Sequence, residues 1–172
     1  MLRAMSTVNS PPRATNAELI RWTFEILNTH DVTALKALWS DATVERFPTE
    51  TCVGADSIGA YFEAAFAAMP DFHIEIVGLA EQGEDVFVRW RLTGTHSGTS
   101  WLGIAPTGKA VELDGIDHFV VRDGSIASNF VVFDQLQFAR AIGMLPHDGS
   151  APDRAMKAAF NAKTRLLART RR

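Results

Sequence analysis

Asp134 stands where a strand-like apolar run ends, in the stretch SNFVVFDQLQ. Two interpretations of this residue are open. Its spacing to Gln137 is that of a capping box, in which the aspartate accepts hydrogen bonds from the first amides of a helix and its pKa is lowered. Alternatively, a carboxyl group in an apolar pocket can both remove and deliver a proton, because burial raises its pKa. In that case Phe130 and Val132, on the same strand face, form the apolar wall.

His118, in the segment GIDHFVV, is the second candidate for chemistry. Its direction depends on the turn of the hairpin that follows. A three-residue loop with a bulge at Gly124 places His118 on the same face as Asp134. A two-residue turn places Asp117 and Phe119 on that face instead. In the first register a histidine can stabilise an enolate oxygen as it forms, whereas the alternative is a half-buried histidine bonded to the backbone.

The glycine-rich segment HSGTSWLGIAP resembles a flexible rim. Trp101, Leu102 and Ile104 on this segment are suited to close over an apolar ligand. His96 begins the segment, and a structural role that ties the loop to its neighbour is favoured for it over catalysis. A contact between His96 and the ligand is kept among the candidates.

Aromatic residues at helix and strand spacing line either the core or the pocket, and packing alone is the more common role for such residues. Among them Trp39 and Phe62 are candidates for contact with a substrate. Glu45 and Arg46 are adjacent on a predicted strand, so one of the two side chains points inward. An inward Arg46 would recognise an acid or an ester, but a surface position is favoured for it.

The totals exclude several classes of protein. The chain has 172 residues, of which 47% are hydrophobic and 22% charged, and this suits a single globular domain. Cys52 is the single cysteine, so it forms no internal disulfide, and a reducing cytoplasmic setting is expected. The sequence contains neither a signal-peptide core nor an apolar run of membrane-spanning length. It also lacks a serine nucleophile elbow, a phosphate-binding loop and a dinucleotide fingerprint.

Charge divides the chain into an acidic body and a basic tail. Residues 151–172 hold seven Lys and Arg against one Asp, whereas residues 1–150 hold ten against nineteen acids. No aromatic residues are interleaved with the basic ones for base stacking, and the acidic body would repel phosphate. We therefore expect neither a nucleic acid nor a membrane partner.

The hydrophobic period predicts helices first and hairpins afterwards. Residues 1–14 are expected to be a disordered leader, and Thr15 with Glu18 forms a capping box that opens the first helix. Two further helices and a short strand fill the chain to Pro70. The period then changes to two, and two hairpins follow, with turns at EQGED and RDGS. A short helix and a basic helical tail over residues 147–172 complete the chain.

This order of elements predicts an α+β fold. A strongly curved antiparallel sheet would be covered on its concave face by the N-terminal helices. Such a cone leaves a gap between the sheet and the helices, and gaps of this kind bind small apolar ligands. The domain would span residues 15–146.

Three short motifs add to this order of elements: G-T-H-x-G at 94–98, P-T-G-K at 106–109 and R-D-G-x-I at 122–126. Asp134 follows the last motif by eight residues. Together they resemble the SnoaL-like polyketide cyclase branch of the NTF2-like superfamily, over about residues 15–146. The chain departs from the branch at Phe130, where a tryptophan is common, and at Ser128, where an acid is common.

The resemblance implies a cone-shaped α+β barrel, a homodimer formed through the sheet, and chemistry without a cofactor on a hydrophobic substrate. No Cys/His spacing in the sequence resembles a zinc site, so no metal is expected either. The resemblance also implies that Asp134, which matches the acid/base aspartate of the cyclases, shuttles the proton of an aldol-type ring closure. The bulged register is favoured because it brings His118 to the place of a polar pocket residue in these enzymes.

The first hypothesis is thus a cyclase or isomerase that acts on a polyketide-like or steroid-like carbonyl compound. Asp134 and His118 would be its catalytic residues, and its ligand contacts would come from Trp101, Phe130, Val132, His96, Phe62 and Trp39. One alternative is water attack on an epoxide, or another lyase reaction, in the same pocket. Another is a non-catalytic protein that binds a small hydrophobic ligand, in which Asp134 only caps a helix.

Overall fold

A computed structural model describes residues 15–170 of the chain, so the predicted leader, residues 1–14, lies outside the described residues. The helices are α1 (Asn16–Leu27), α2 (Val32–Lys36), α3 (Ala55–Ala68), α4 (Gln135–Ala141) and α5 (Ala151–Thr170). The strands are β1 (Trp39–Arg46), β2 (Thr51–Val53), β3 (His73–Gln82), β4 (Asp85–Thr95), β5 (Ala110–Arg122) and β6 (Ser125–Phe133).

The N-terminal helix forms as its sequence predicts. The Thr15 hydroxyl accepts a hydrogen bond from the Glu18 amide at 3.1 Å, so the predicted N-cap is confirmed. At the other end, the Asn28 side chain exchanges two hydrogen bonds with the backbone of Ile74, each 2.8 Å long. This pair fixes the end of α1 against the start of β3. The apolar face of α1 is thereby held over the sheet.

The six strands form one curved, unclosed sheet in the order β2-β1-β6-β5-β4-β3. Neighbouring strands are antiparallel except for β1 and β6, which are parallel. β1 forms a hairpin with β2 along one edge. Its other edge lies beside β6, the last strand in the chain, and these two strands run in the same direction. The predicted α+β fold with helices on one face of a curved sheet is confirmed.

The second long hairpin turns more tightly than expected. Asp123 and Gly124 form a two-residue turn, and both have positive φ, of 51° and 71°. This conformation matches the twist of the flanking strands. The predicted three-residue loop with a bulge at Gly124 is therefore wrong. The register shifts further along, where Val120 pairs with Ser128 and Val121 with Ile126, so the extra residue is Ala127.

The last helix begins in a group of ion pairs beside α4. Asp148 accepts from Lys157 at 2.8 Å and lies 3.6 Å from Arg140, and Lys157 also pairs with Asp153. Beyond this group α5 is exposed along its length, and its Phe160 side chain is 68% exposed. Among the described residues, no helix combines the length and the apolar character required to cross a bilayer.

Candidate active site

A cavity of about 70 Å³ lies between the inner face of the sheet and the helices α1 and α3. Its wall is almost entirely apolar, and Trp101 of the predicted rim segment forms part of it. The lining residues are Phe24, Leu27, Phe47, Tyr61, Phe62, Ala65, Phe72, Ile74, Trp90, Leu92, Trp101, Leu113, Asp117, Asn129, Val131 and Phe133. Asp117 is the one ionisable carboxyl group among these lining residues.

Asp117 is brought to the cavity by the alternation of β5. Leu113, Asp117 and Phe119 are at positions of the same parity, so their side chains share the inner face, and Asp117 is 7% exposed. Each carboxyl oxygen accepts one hydrogen bond. The Trp90 indole Nε1 donates to Oδ1 at 2.8 Å, and the Asn129 amide Nδ2 donates to Oδ2 at 3.2 Å. The orientation of the side chain is therefore fixed, and each carboxyl oxygen can still accept another hydrogen bond.

The environment of Asp117 opposes its ionisation. Burial raises the pKa of its carboxyl group to about 7, and the hydrogen bonds from Trp90 and Asn129 offset only part of this effect. An ordinary aspartate is fully ionised at neutral pH. Asp117 instead exchanges its proton near neutrality, as a general acid/base must.

A second buried carboxyl group lies behind Asn129. Glu45 on β1 pairs directly with Asn129 on β6 and is 2% exposed. Burial raises the pKa of Glu45 to about 8, and the negative charge of Asp117 contributes in the same direction. The side chains of Asn129 and Trp39 lie close enough to lower the pKa of Glu45 and so offset part of this increase. Two acidic groups with raised pKa values thus flank a single asparagine.

Trp90 reaches Asp117 because Gly115 leaves space for its ring. Gly115 pairs with Trp90 across β4 and β5, and a Cβ atom at this position would lie 2.1 Å from the Cζ2 atom of the indole. That distance is far inside van der Waals contact. The absence of a side chain at position 115 therefore sets the position of the donor to Asp117.

We expect Gly115→Ala to displace the Trp90 ring and to destabilise the fold by about 1–3 kcal/mol, as overpacked cores do. The hydrogen bond to Asp117 should weaken at the same time, so the pKa of Asp117 should rise. Urea denaturation and a pH titration measure the two effects. Gly78→Ala is the matched control, because a Cβ atom there meets nothing within 4 Å. Equal stability of the two variants would contradict this account of Gly115.

Aromatic rings build the rest of the wall. Phe47 and Tyr61 stack with centroids 3.7 Å apart, and Trp39 stacks on Phe62 at 5.8 Å. Trp101 packs edge-on against Phe138 at 5.3 Å. Its backbone forms a two-residue turn with Ile104, through hydrogen bonds of 3.1 and 2.9 Å. The predicted rim segment thus contributes an aromatic side chain to the cavity.

Asp134 does not face this cavity. It is the N-cap of α4, and its Oδ1 atom accepts hydrogen bonds from the Leu136 and Gln137 amides at 2.8 and 3.1 Å. The residue is exposed to solvent. The expectation that Asp134 lies in an apolar pocket is therefore wrong, and the geometry is that of the capping alternative.

His118, Phe130 and Val132 share one face of the sheet, as expected, but it is the outer face. His118 pairs with Phe130 across the strands, and its Nε2 atom lies 2.6 Å from Asp85 Oδ1 while its ring stacks on Phe87. Phe130 and Val132 are 51% and 49% exposed. Their expected positions in the pocket wall are wrong, because the residues of opposite parity point inward.

The remaining candidates lie inside the fold. Trp101 and Phe62 line the cavity, whereas Trp39 is buried behind Phe62 and next to Glu45. His96 is fully buried outside the cavity wall, and neither ring nitrogen has a hydrogen-bond partner among the described residues. Its backbone anchors the rim segment, through bonds to Lys109, Thr107 and Gly108.

Asp117 and Glu45 were not predicted as site residues, although the sequence contained a signal for both. In β5 the inward positions hold Val111, Leu113, Gly115, Asp117, Phe119 and Val121, so Asp117 is a lone acid in an apolar row of period two. Glu45 likewise alternates with Thr43 and Phe47. An acid in the buried row of a strand is a common sign of a functional carboxyl group. Arg46, its neighbour, points outward and is exposed.

Comparison with known proteins agrees with this architecture. The model of the SnoaL-like domain matches residues 20–129. TsrD from Streptomyces laurentii superimposes with a TM-score of 0.69 at 22% identity, over 78% of this chain and 98% of that one. AclR from Streptomyces galilaeus, a proposed hydroxylase, gives 0.64 at 21% identity, over 87% and 92% of the two chains.

A third similar structure, from Catenulispora acidiphila, has a ketosteroid isomerase-like fold, with a TM-score of 0.65 at 16% identity over 79% of this chain and 99% of that one. At these identities the structures establish the fold alone. The search of curated proteins gives no match. Because the family model spans more than half of the chain, and the fold is that of its structural relatives, the protein belongs to the SnoaL-like branch of the NTF2-like superfamily.

Proposed function

We propose that the protein is a cofactor-independent acid/base catalyst of the cyclase or isomerase type. Its substrate would be a hydrophobic carbonyl compound, and the reaction would be a proton transfer or an aldol-type ring closure. The observation that carries the proposal is the position of Asp117, a carboxyl group in the wall of an apolar cavity whose pKa is raised to about 7.

In the proposed reaction the Asp117 carboxylate removes a proton from the carbon next to the carbonyl group. The electron pair of that C–H bond forms the enolate, and the protonated Asp117 then delivers the same proton to another carbon or to a new alkoxide. Asp117 alone therefore both accepts and returns the proton. Trp90 and Asn129 hold the carboxyl group in place throughout, so little reorganisation is needed.

The aromatic wall would bind the hydrocarbon part of the substrate. Trp101 and Phe62 are the proposed contacts, since both rings face the cavity that contains Asp117. Flat, apolar rings favour substrates with rings or conjugated chains, because such groups stack and bury apolar area. A polar or charged substrate would lose hydration here without gaining partners.

A hydrogen-exchange assay tests this proposal before the natural substrate is known. The protein is incubated in D₂O with a panel of small hydrophobic ketones and 1,3-diketones, and deuterium uptake next to the carbonyl group is followed by NMR. Uptake faster than in buffer, and absent with heat-denatured protein, is the expected result. Ketones that bind without any exchange would contradict the proposal.

A ligand-binding role without catalysis is the second candidate. It is favoured by the almost entirely apolar wall, since binding proteins need little more than such a surface. The same exchange assay separates the two candidates, because a binding protein would perturb the ketone signals but would leave their protons in place.

We also propose a homodimer formed through the outer face of the sheet. This face carries a group of exposed apolar side chains on β4, β5 and β6, here called the outer patch, which consists of Phe87, Ile116, Phe130 and Val132. Exposed apolar side chains grouped on one face are typical of protein interfaces. A twofold dimer places the same patch on both chains, so it needs only self-complementarity.

Phe130→Arg should dissociate this dimer. An aromatic residue at the centre of an interface contributes about 2 kcal/mol or more, so dimerisation should weaken by at least about 30-fold. Sedimentation equilibrium of the wild type and the variant measures this. Leu102→Arg is the control, because Leu102 is a partly exposed apolar residue on the rim segment and not on the outer patch. A monomeric wild type, or a dimeric Phe130→Arg variant, would contradict the dimer.

A further inference from the structure

Glu45 and Asn129 present two buried oxygen atoms without donors. Glu45 Oε2 and Asn129 Oδ1 are both inaccessible to solvent, and neither accepts a hydrogen bond from any described residue. The two residues are direct partners across β1 and β6, and their side chains are close enough to interact. A carboxylate oxygen and an amide oxygen are both acceptors, so an ionised Glu45 would leave them mutually repulsive.

A proton on Glu45 would provide a hydrogen-bond partner for both buried oxygen atoms. The neutral acid has one O–H group, which can donate to Asn129 Oδ1 and so satisfy the amide oxygen. The amide nitrogen of Asn129 donates to Asp117 Oδ2 at 3.2 Å, and it also lies near enough to Glu45 to lower the pKa of that carboxyl group in part. With a proton on Glu45, the hydrogen bonds would run in one direction, from Glu45 through Asn129 to Asp117.

The groups that face Glu45 also oppose its ionisation. Asp117 faces it from β5, the Cys52 thiol from β2 and the Tyr61 phenol from α3. Each of these groups is either neutral or negative, so none of them stabilises a second negative charge. Trp39 and Asn129 carry no charge, and their N–H groups offset only part of this effect.

We infer that Glu45 is a positioning residue that stays protonated and, through Asn129, sets the orientation and acidity of the Asp117 carboxyl group. The inference rests on the proposed role of Asp117 and deepens it. Asn129 has two possible amide orientations, and a neutral Glu45 selects the one that donates to Asp117. Asp117 is then the carboxyl group that ionises first, and Glu45 holds its proton.

Carboxyl carbon NMR tests this inference independently of any reaction. Protein labelled with ¹³C in the Asp and Glu carboxyl groups is titrated as wild type, Glu45→Gln and Glu45→Leu. In the wild type we expect Glu45 to be protonated at neutral pH and to titrate at higher pH than Asp117. Glu45→Gln retains an N–H donor to Asn129 Oδ1, so the midpoint of Asp117 should stay near the wild-type value.

Glu45→Leu removes that donor at similar volume and frees the Asn129 amide to turn. The acid dissociation constant of Asp117 should then fall by about tenfold, which raises its titration midpoint by about one pH unit. Where exchange activity is present, the pH profile of kcat/KM should move by the same amount in Glu45→Leu and not in Glu45→Gln. A role in packing alone would not distinguish the two variants in this way.

Two outcomes would overturn the inference: a wild-type Glu45 that is ionised at pH 6, or an Asp117 midpoint that is the same in Glu45→Leu as in the wild type. The wild-type titration alone decides the protonation of Glu45 if a variant fails to fold. The protein could also show a protonated Glu45 and a shifted Asp117 midpoint in Glu45→Leu but have no exchange activity. That result would refute the proposed function and would still support the inference that Glu45 is protonated and acts on Asp117.

Discussion

Asp117→Asn should lower kcat in the exchange or cyclisation reaction by about 10² to 10⁴-fold, the usual contribution of a positioned acid/base. Asparagine is similar in size and its Oδ1 atom can still accept from the Trp90 indole, so the cavity should keep its volume. Its amide nitrogen replaces the oxygen that accepts from Asn129, so the Asn129 amide should turn and present its own oxygen. The new side chain cannot exchange a proton, however. Ligand affinity should therefore remain while turnover is lost, and the step near pH 7 in the rate profile should disappear. Steady-state kinetics with an NMR-detected ketone measures each of these quantities.

Asp134→Asn is the matched control for this experiment. Asparagine caps helices as well as aspartate does, so α4 should be retained. Because the Asp134 side chain accepts from two backbone amides outside the cavity, kcat and its pH dependence should be unchanged. Loss of the titrating step in Asp134→Asn, with the step preserved in Asp117→Asn, would transfer the acid/base role back to Asp134.

The free energy of unfolding should fall as the pH rises from about 5 to about 7. Asp117 and Glu45 have folded-state pKa values of about 7 and about 8, whereas their ordinary values are 3.8 and 4.5. Between these limits the folded chain holds protons that the unfolded chain has released. Unfolding therefore releases protons in this window, and each one lowers the free energy of unfolding by about 1.4 kcal/mol per pH unit.

The full contribution of these two groups is present below about pH 4, and it is exhausted above the raised pKa values. Urea denaturation at pH 5, 6, 7 and 8 measures the slope. The double variant Glu45→Gln/Asp117→Asn carries no titratable group at either position, so the difference between wild type and double variant isolates the two carboxyl groups. A constant difference across this range would show that neither carboxyl group holds its proton in the folded state.

The order of helices and hairpins could be predicted from the sequence because each element has a strong local signal. The period of 3.6 marks α1 and α3, the period of two marks β3 to β6, and Thr15 caps α1 as its spacing to Glu18 indicates. The short strand β2 was not predicted, since three residues show too little alternation. Its pairing with β1 depends on contacts that lie outside the segment.

The face of the sheet that holds the site could not be predicted in the same way. On β6 the outward row contains Phe130 and Val132, and the inward row contains Asn129 and Val131, so the outward row is the more apolar of the two. Hydrophobic pattern alone therefore selects the wrong face. Functional sites often break the pattern of the fold that carries them, and here the polar residues of the break form the proposed site.

Asp134 illustrates a different limit. Its capping-box spacing to Gln137 and its place after an apolar strand were both visible, and each supports a different role. A strand end and a helix start coincide at this residue, so the local sequence is compatible with either. The choice was decided by the path of the chain, which ends β6 beyond the cavity and directs the α4 amides at the carboxylate.

The small size of the cavity has a consequence for the kinetics of binding. A buried cavity of about 150 Å³ admits benzene, whereas the cavity beside Asp117 has about 70 Å³, so a ligand with a ring needs the wall to move. The Trp101–Ile104 turn is suited to that movement, because Leu102 has a φ of 51° in a conformation that strains residues other than glycine by about 1–2 kcal/mol. Ligand association would then be gated by the opening of the turn, and its observed rate would reach a plateau at high ligand concentration.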